Sequence, residues 1–143
     1  MTLDIIDNIG SMDESLFIDY VDTEWCLRAG KKGIKFFVCN NINMRHEIGS
    51  ANIHFLKWRI PVHNPARRYY RIRNSFYLFK YPHVHNIIAF REVFFSIIHQ
   101  LILILICKDK VKNIKFLFSA VFSGLKAVFL NYIISFKRNG KYS

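Results

Sequence analysis

A chain of 143 residues can bury one modest core, yet 52% hydrophobic residues, 14 phenylalanines and a formal net charge of +11 are an unusual combination for a small soluble domain. The charge is divided: residues 1–50 hold 8 Asp/Glu against 5 Lys/Arg, whereas residues 51–143 hold 2 against 16, so an acidic first third precedes a cationic, apolar remainder. Three separated cysteines, Cys26, Cys39 and Cys107, argue against a disulfide framework or a zinc site and suit a reducing cytoplasm, and the acidic start MTLDIIDNIG does not read as a secretory signal.

In chain order, Asp7–Gly10 and Ser11–Glu14 read as a loop leading into a short helical turn. A helix is predicted from about Asp19, with Asp22 three residues on as a carboxylate capping partner and Gly30 as its stop. Ile34–Cys39 reads as a strand of β-branched and aromatic residues closed by Asn40 and Asn41. Pro61, Pro65 and Pro82 cut the next stretch into short pieces, with a helix predicted over 66–80 that carries Tyr69, Ile72, Phe76 and Phe79 on one face and arginines on the other.

Residues 87–107 are largely apolar, but Arg91, Glu92, His99 and Gln100 interrupt them, which favours a helix lying in a membrane interface over one spanning ~20 residues of hydrocarbon. Residues 114–136 form a second apolar stretch in which Lys115, Ser119 and Lys126 fall near one side, the pattern of an amphipathic helix. Residues 137–143 are basic and expected to fray. Clustered cations among Phe, Ile and Leu suit an anionic membrane surface, and no RNA- or DNA-binding module accompanies them, so no nucleic-acid partner is expected.

On a helix, Asp22 and Trp25 share a face, which could set an indole beside a carboxylate, while Glu24 and Arg28 have the spacing of an ion pair. Helix capping by Asp19 and Asp22, and simple core packing of Trp25, are the structural alternatives. Pro65–Asn74 packs Arg67, Arg68, Arg71 and Arg73 with Tyr69 and Tyr70, either a solvated basic face or a set of guanidinium forks for phosphate.

The segment FIDYVDTEWCLRA within Asp13–Ala29, with MRHEIG at 44–49 and PARRYYRIRN at 65–74, resembles the acceptor half of a family 2 glycosyltransferase, bacterial rhamnosyltransferases in particular, over residues 8–80. Val21 stands where many relatives carry an acid. The resemblance implies an inverting enzyme in which Asp22 is the catalytic base, Trp25, Arg67, Arg68, Tyr70 and Arg73 bind the acceptor, and His46 completes the shell of a divalent cation, Mg or Mn, in the full enzyme. The donor implied is a dTDP-rhamnose-like nucleotide sugar, and the acceptor a polysaccharide or a lipid-linked sugar.

Such enzymes carry an Asp-x-Asp nucleotide-binding half, and no Asp-x-Asp occurs in these residues. The expected fold is therefore an α/β fragment, a partial GT-A fold, mostly helical with a small β element and apolar C-terminal helices. Residues 1–82 would be the acceptor-side part and 83–143 a membrane-associated tail, peripheral on the cytoplasmic face. The fragment is expected to be inactive alone and to bind no cation by itself. From a different class, a non-catalytic membrane-surface remnant or interaction protein fits the same composition.

Overall fold

The computed structural model describes residues 3–42, 51–55, 58–106 and 109–139. Helix α1 (Leu3–Ile9) and helix α2 (Val21–Lys31) flank a short 3-10 turn at Glu14–Leu16. Strands β1 (Ala51–Phe55) and β2 (Trp58–Val62) pair antiparallel, with Ala51 opposite Val62 and Phe55 opposite Trp58. Helix α3 (Pro65–Tyr77) runs into a 3-10 turn at Leu78–Lys80, and α4 (Asn86–Ile106) and α5 (Lys110–Asn139) complete the chain.

The chain is mostly helical. Three sequence expectations about its elements are corrected, the first being residues 7–9, which close helix α1 rather than form a loop. Residues 34–39 form no strand: they run outside any helix or sheet, with Phe37 and Val38 more than four-fifths exposed at 85% and 87%, because no neighbouring edge among the described residues pairs with them. The paired strands lie at 51–62 instead, as a local hairpin rather than part of a parallel sheet.

Helix α2 also starts later than expected. Its N-cap is Tyr20 in a left-handed conformation, and Asp19 does not cap it. The stop is Gly33, whose φ of 80° provides the left-handed residue; Ile34 N–H donates to Ala29 O at 3.1 Å and Gly33 N–H to Gly30 O at 3.0 Å, and Ile34 then folds back on Ile9, Trp25 and Ala29. Helix α3 starts where Asn64 accepts from Arg67 N at 2.8 Å, with Pro65 in its first turn.

Helix α3 is the centre of the packing. Its Ile72 and Phe76 pack on Ala120 of α5, with Val93 and Ile97 of α4 and Leu117, Val121 and Val128 of α5 around them. Gly124 lets α5 approach Phe76 closely: a Cβ there would sit 2.7 Å from Phe76 Cδ2. Leu78, Val84 and Ala89 form a further cluster that Tyr20 and Leu27 join.

Helices α4 and α5 are each long and apolar enough to cross a membrane, and only 22% and 11% of their most apolar windows are buried. Of the residues that interrupt α4, Arg91 stays exposed, while Glu92 and Gln100 turn inward. Ser96 and Gln100 are buried, Glu92 is four residues before Ser96 and turned toward Tyr20, and Gln100 donates to Asn113 O at 3.2 Å. Polar side chains spaced four apart thus fall inward, leaving Phe90, Phe94 and Leu101 exposed.

Candidate functional site

Residues 13–20 take a path that a random chain avoids. Asp13 caps the 3-10 turn by accepting from Ser15 N at 2.8 Å, and Tyr81 OH donates to its other oxygen at 2.6 Å. Burial, the largest influence, pushes the Asp13 carboxyl up, but the hydrogen bonds from Tyr81 and Ser15 together hold it below the ordinary carboxylate value. Phe17 then adopts φ 61° and ψ −57°, closed by Ile18 N–H donating to Leu16 O at 2.7 Å, which is the strained γ-turn. Asp19 and Tyr20 follow, both left-handed with φ of 61° and 64°. Each such residue costs about 1–3 kcal/mol, so the surroundings must hold it there.

They do so from α3. Asn74 is fully buried and its Nδ2 lies 2.6 Å from Leu16 O, 2.8 Å from Ile18 O and 3.3 Å from Asp19 O. Arg73 sits between the rings of Tyr70 and Tyr77, at 4.7 and 4.6 Å, and donates to Ser15 O at 2.8 Å and to Asn74 Oδ1 at 2.7 Å. Tyr70 in turn packs its ring 5.0 Å from that of Phe17.

The bend delivers Asp19, Tyr20, Asp22 and Thr23 to one wall of a cleft of about 500 Å³. Arg67, Arg71 and His63 line the other wall, with Glu92 at its edge. Arg67 grips Asp19 with two donors, Nη2 to Oδ1 at 3.0 Å and Nε to Oδ2 at 3.2 Å. Asp22 is exposed and accepts only from Thr23 N, at 2.9 Å, among the described residues, so it is the carboxylate open to the cleft.

Tyr20 OH donates to Glu92 Oε2 at 3.1 Å and lies 3.2 Å from Ser96 Oγ; burial raises its pKa, the Ser96 bond opposes, and negative Glu92 adds to the rise. His63 is 93% covered, and burial first, then the positive charge of Arg67, Arg71 and Arg68, push its imidazole below its ordinary value while Asp19 opposes. It is a neutral imidazole at pH 7.

Asp19, Asp22, Arg67 and Arg71, all singled out in the sequence, line this cleft, whereas Trp25, Arg68, Tyr70 and Arg73 do not. Trp25 is corrected: it is 6% exposed, packs on Ile9 and Ala29, and donates its indole N–H to Gly10 O at 2.9 Å, so it is core and offers no face to a sugar. Arg73 and Tyr70 brace the bend from behind and do not line the cleft. Arg68 is buried at 8% and does not line it. His46 lies outside the described residues.

Of the other cleft residues, Tyr20, Thr23, His63 and Glu92 had no site role in the sequence, and Arg71 stood there only as one of four arginines of a basic segment. Arg71 had a usable signal, because it stands four residues after Arg67 and shares its helix face. The pair Glu24 and Arg28, expected from spacing, forms at 3.0 Å, and Glu24 also meets His83 Nε2 at 2.8 Å. Arg28 extends to Ser11 O at 2.9 Å, which ties α2 to the loop before the bend. Among the described residues no three His, Cys, Asp or Glu side chains gather as ligands for a metal ion.

Over 125 residues the chain is 42% identical to the dTDP-rhamnosyl transferase RfbF of Shigella flexneri. The chain is related to a sugar transferase. The alignment takes in 87% of this chain but 42% of the relative, so the chain spans less than half of that protein's length. No family model and no solved structure matches it.

Proposed function

We propose that this chain is the acceptor-side part of an inverting rhamnosyltransferase of the family 2 glycosyltransferase type, with a partial GT-A fold, acting on a dTDP-rhamnose-like donor at the cytoplasmic face of a membrane. Residues 1–82 supply the acceptor side and 83–143 the membrane-associated part. The observation that carries the reading is the pairing of two carboxylates with different fates: Arg67 occupies both oxygens of Asp19, while Asp22 three residues on remains open to the cleft.

In the reaction the acceptor hydroxyl attacks the anomeric carbon and Asp22 takes its proton. The bond from that carbon to the nucleotide diphosphate oxygen breaks, and the diphosphate leaves with its electron pair. Arg71, which makes no hydrogen bond or ion pair among the described residues, is the guanidinium open to an anionic group of a polysaccharide or lipid-linked acceptor. Neutral His63 adds no positive charge beside the base.

The membrane assignment rests on α5. Ile114, Phe118, Phe122, Leu125, Phe129, Tyr132 and Phe136 recur every three or four residues and are all exposed, forming one apolar stripe along the helix. The same stripe supports a second reading, a non-catalytic membrane-surface protein.

Turnover decides between them. The 143 residues alone should give no transfer above a no-protein blank. Joined to a nucleotide-binding half, by fusion or co-expression, they should transfer rhamnose, and Asp22→Asn should reduce turnover by about 10² to 10⁴ while donor binding stays within twofold, because the amide keeps the shape and cannot accept the proton. A large loss from Asp19→Asn with Asp22→Asn near wild type would show that the wrong carboxylate has been named.

A further inference from the structure

We infer that Asn74 is a positioning residue for the cleft, one whose amide holds Asp19 and Asp22 in their working geometry without touching substrate. The inference rests on the reading of Asp22 given above. Three carbonyls of the bend, those of Leu16, Ile18 and Asp19, converge on a single buried Nδ2.

The strain gives this contact its meaning. Phe17, Asp19 and Tyr20 each sit in a region of backbone space that L residues avoid, within four positions, and none is glycine. Without a clamp the segment would relax toward negative φ. Relaxation at Asp19 and Tyr20 would rotate the Asp19 carboxylate off Arg67 and swing the start of α2, and with it Asp22, across the cleft. Asn74 acts through its donors, since its oxygen is already taken by Arg73 Nε at 2.9 Å and Nη2 at 2.7 Å.

Two substitutions separate donor from shape. Asn74→Asp keeps size and the Arg73 contact but turns an acceptor toward the carbonyls, and Asn74→Leu keeps approximate volume with neither. In the full chain, amide hydrogen exchange at Phe17 and Ile18 should rise by about tenfold or more in both variants, while exchange in the middle of α3 changes little. In the chain joined to its nucleotide-binding half, assayed well below each variant's unfolding midpoint, kcat should fall by about 10 to 10² with the donor KM within twofold, the signature of a misplaced base.

A folded Asn74→Asp variant with unchanged exchange at Ile18 would overturn the clamp. Raised exchange with unchanged kcat, in an enzyme that Asp22→Asn inactivates, would reduce Asn74 to a stabilising hydrogen bond and overturn the positioning role. Should Asp22→Asn itself leave turnover intact, the catalytic reading falls and the positioning role falls with it, even where the exchange arm supports a clamp.

Discussion

Arg67, Arg68, Arg71 and Arg73 share one helix and one chemistry, and their surroundings give them different work. Arg67 is held by Asp19, Arg68 is buried, and Arg73 stacks between two tyrosines behind the bend. Arg71 remains, facing the cleft. Arg71→Gln should raise the acceptor KM by about tenfold with kcat little changed, because a charge-assisted bond to a bound anion is made in ground and transition states alike. A fall in kcat at constant KM would place Arg71 in the chemistry instead. His63 yields a pH prediction. Its folded pKa lies below the ordinary 6.5, so on acidification the unfolded chain takes up the proton first and stability falls as pH drops below about 6.5. Asp13, also depressed, adds its loss only near and below its ordinary 3.8, in a separate window. The thermal midpoint of His63→Gln should therefore change less between pH 7 and 5 than that of the parent, and parallel slopes would refute the assignment. Spacing in the sequence already paired Glu24 with Arg28 and could have paired Arg67 with Arg71. What spacing could not show is that Asp19 would face α3.

Elements show where local preference and packing disagree. Two glycines lie inside helices, Gly30 in α2 and Gly124 in α5, and helix propensity ranks both as sites where alanine stabilises by up to about 1 kcal/mol. The structure separates them. A Cβ at Gly30 meets nothing within 4 Å, so Gly30→Ala should stabilise by about 0.4–1 kcal/mol. A Cβ at Gly124 meets Phe76 Cδ2 at 2.7 Å and Phe76 Cβ at 2.8 Å, and the ring is packed between α3 and α5, so Gly124→Ala should destabilise by about 1–3 kcal/mol. Chemical denaturation of both variants checks the signs, and two shifts in the same direction would contradict the close approach of α3 and α5. The same limit explains the missed elements. Ile34–Cys39 has strand composition but no edge to pair with among the described residues, and strand preference is a preference for a surface to pack on. Helix α2 starts at Val21 rather than Asp19 because Asn74, more than fifty residues away, holds Asp19 out of the helix.

At the scale of the whole molecule, two largely uncovered apolar helices meet a cationic sequence. Residues 51–143 carry 16 Lys/Arg against 2 Asp/Glu, and Lys110, Lys112, Lys115 and Lys126 lie exposed on α5 beside its phenylalanine stripe. Each cation near an anionic leaflet contributes on the order of 1 kcal/mol, and the apolar faces add burial. The chain should sediment with anionic vesicles far better than with neutral ones, weakened but not abolished by high salt. Replacing Phe118, Phe122 and Phe129 together by Asn should release it without disturbing the Ile72, Phe76 and Ala120 core; deleting the tail is a poorer test, since α5 covers α3. Equal binding to neutral vesicles that survives salt and alkaline carbonate would mean that α4 and α5 span, for which both are long enough. Composition and periodicity alone determined that the chain is mostly helical, that its last two helices are apolar, and that its positive charge lies with them, because these follow from which residues stand at which intervals. Only the tertiary structure decided that Trp25 is core, that Arg71 rather than Arg73 opens to the cleft, and that Asp22 stays free while Asp19 does not. Trp25 is core because α1 and the loop after it close over the indole, the other outcomes depend on what α3 places against the bend at Phe17–Tyr20, and contacts between residues about fifty positions apart leave no period in a sequence.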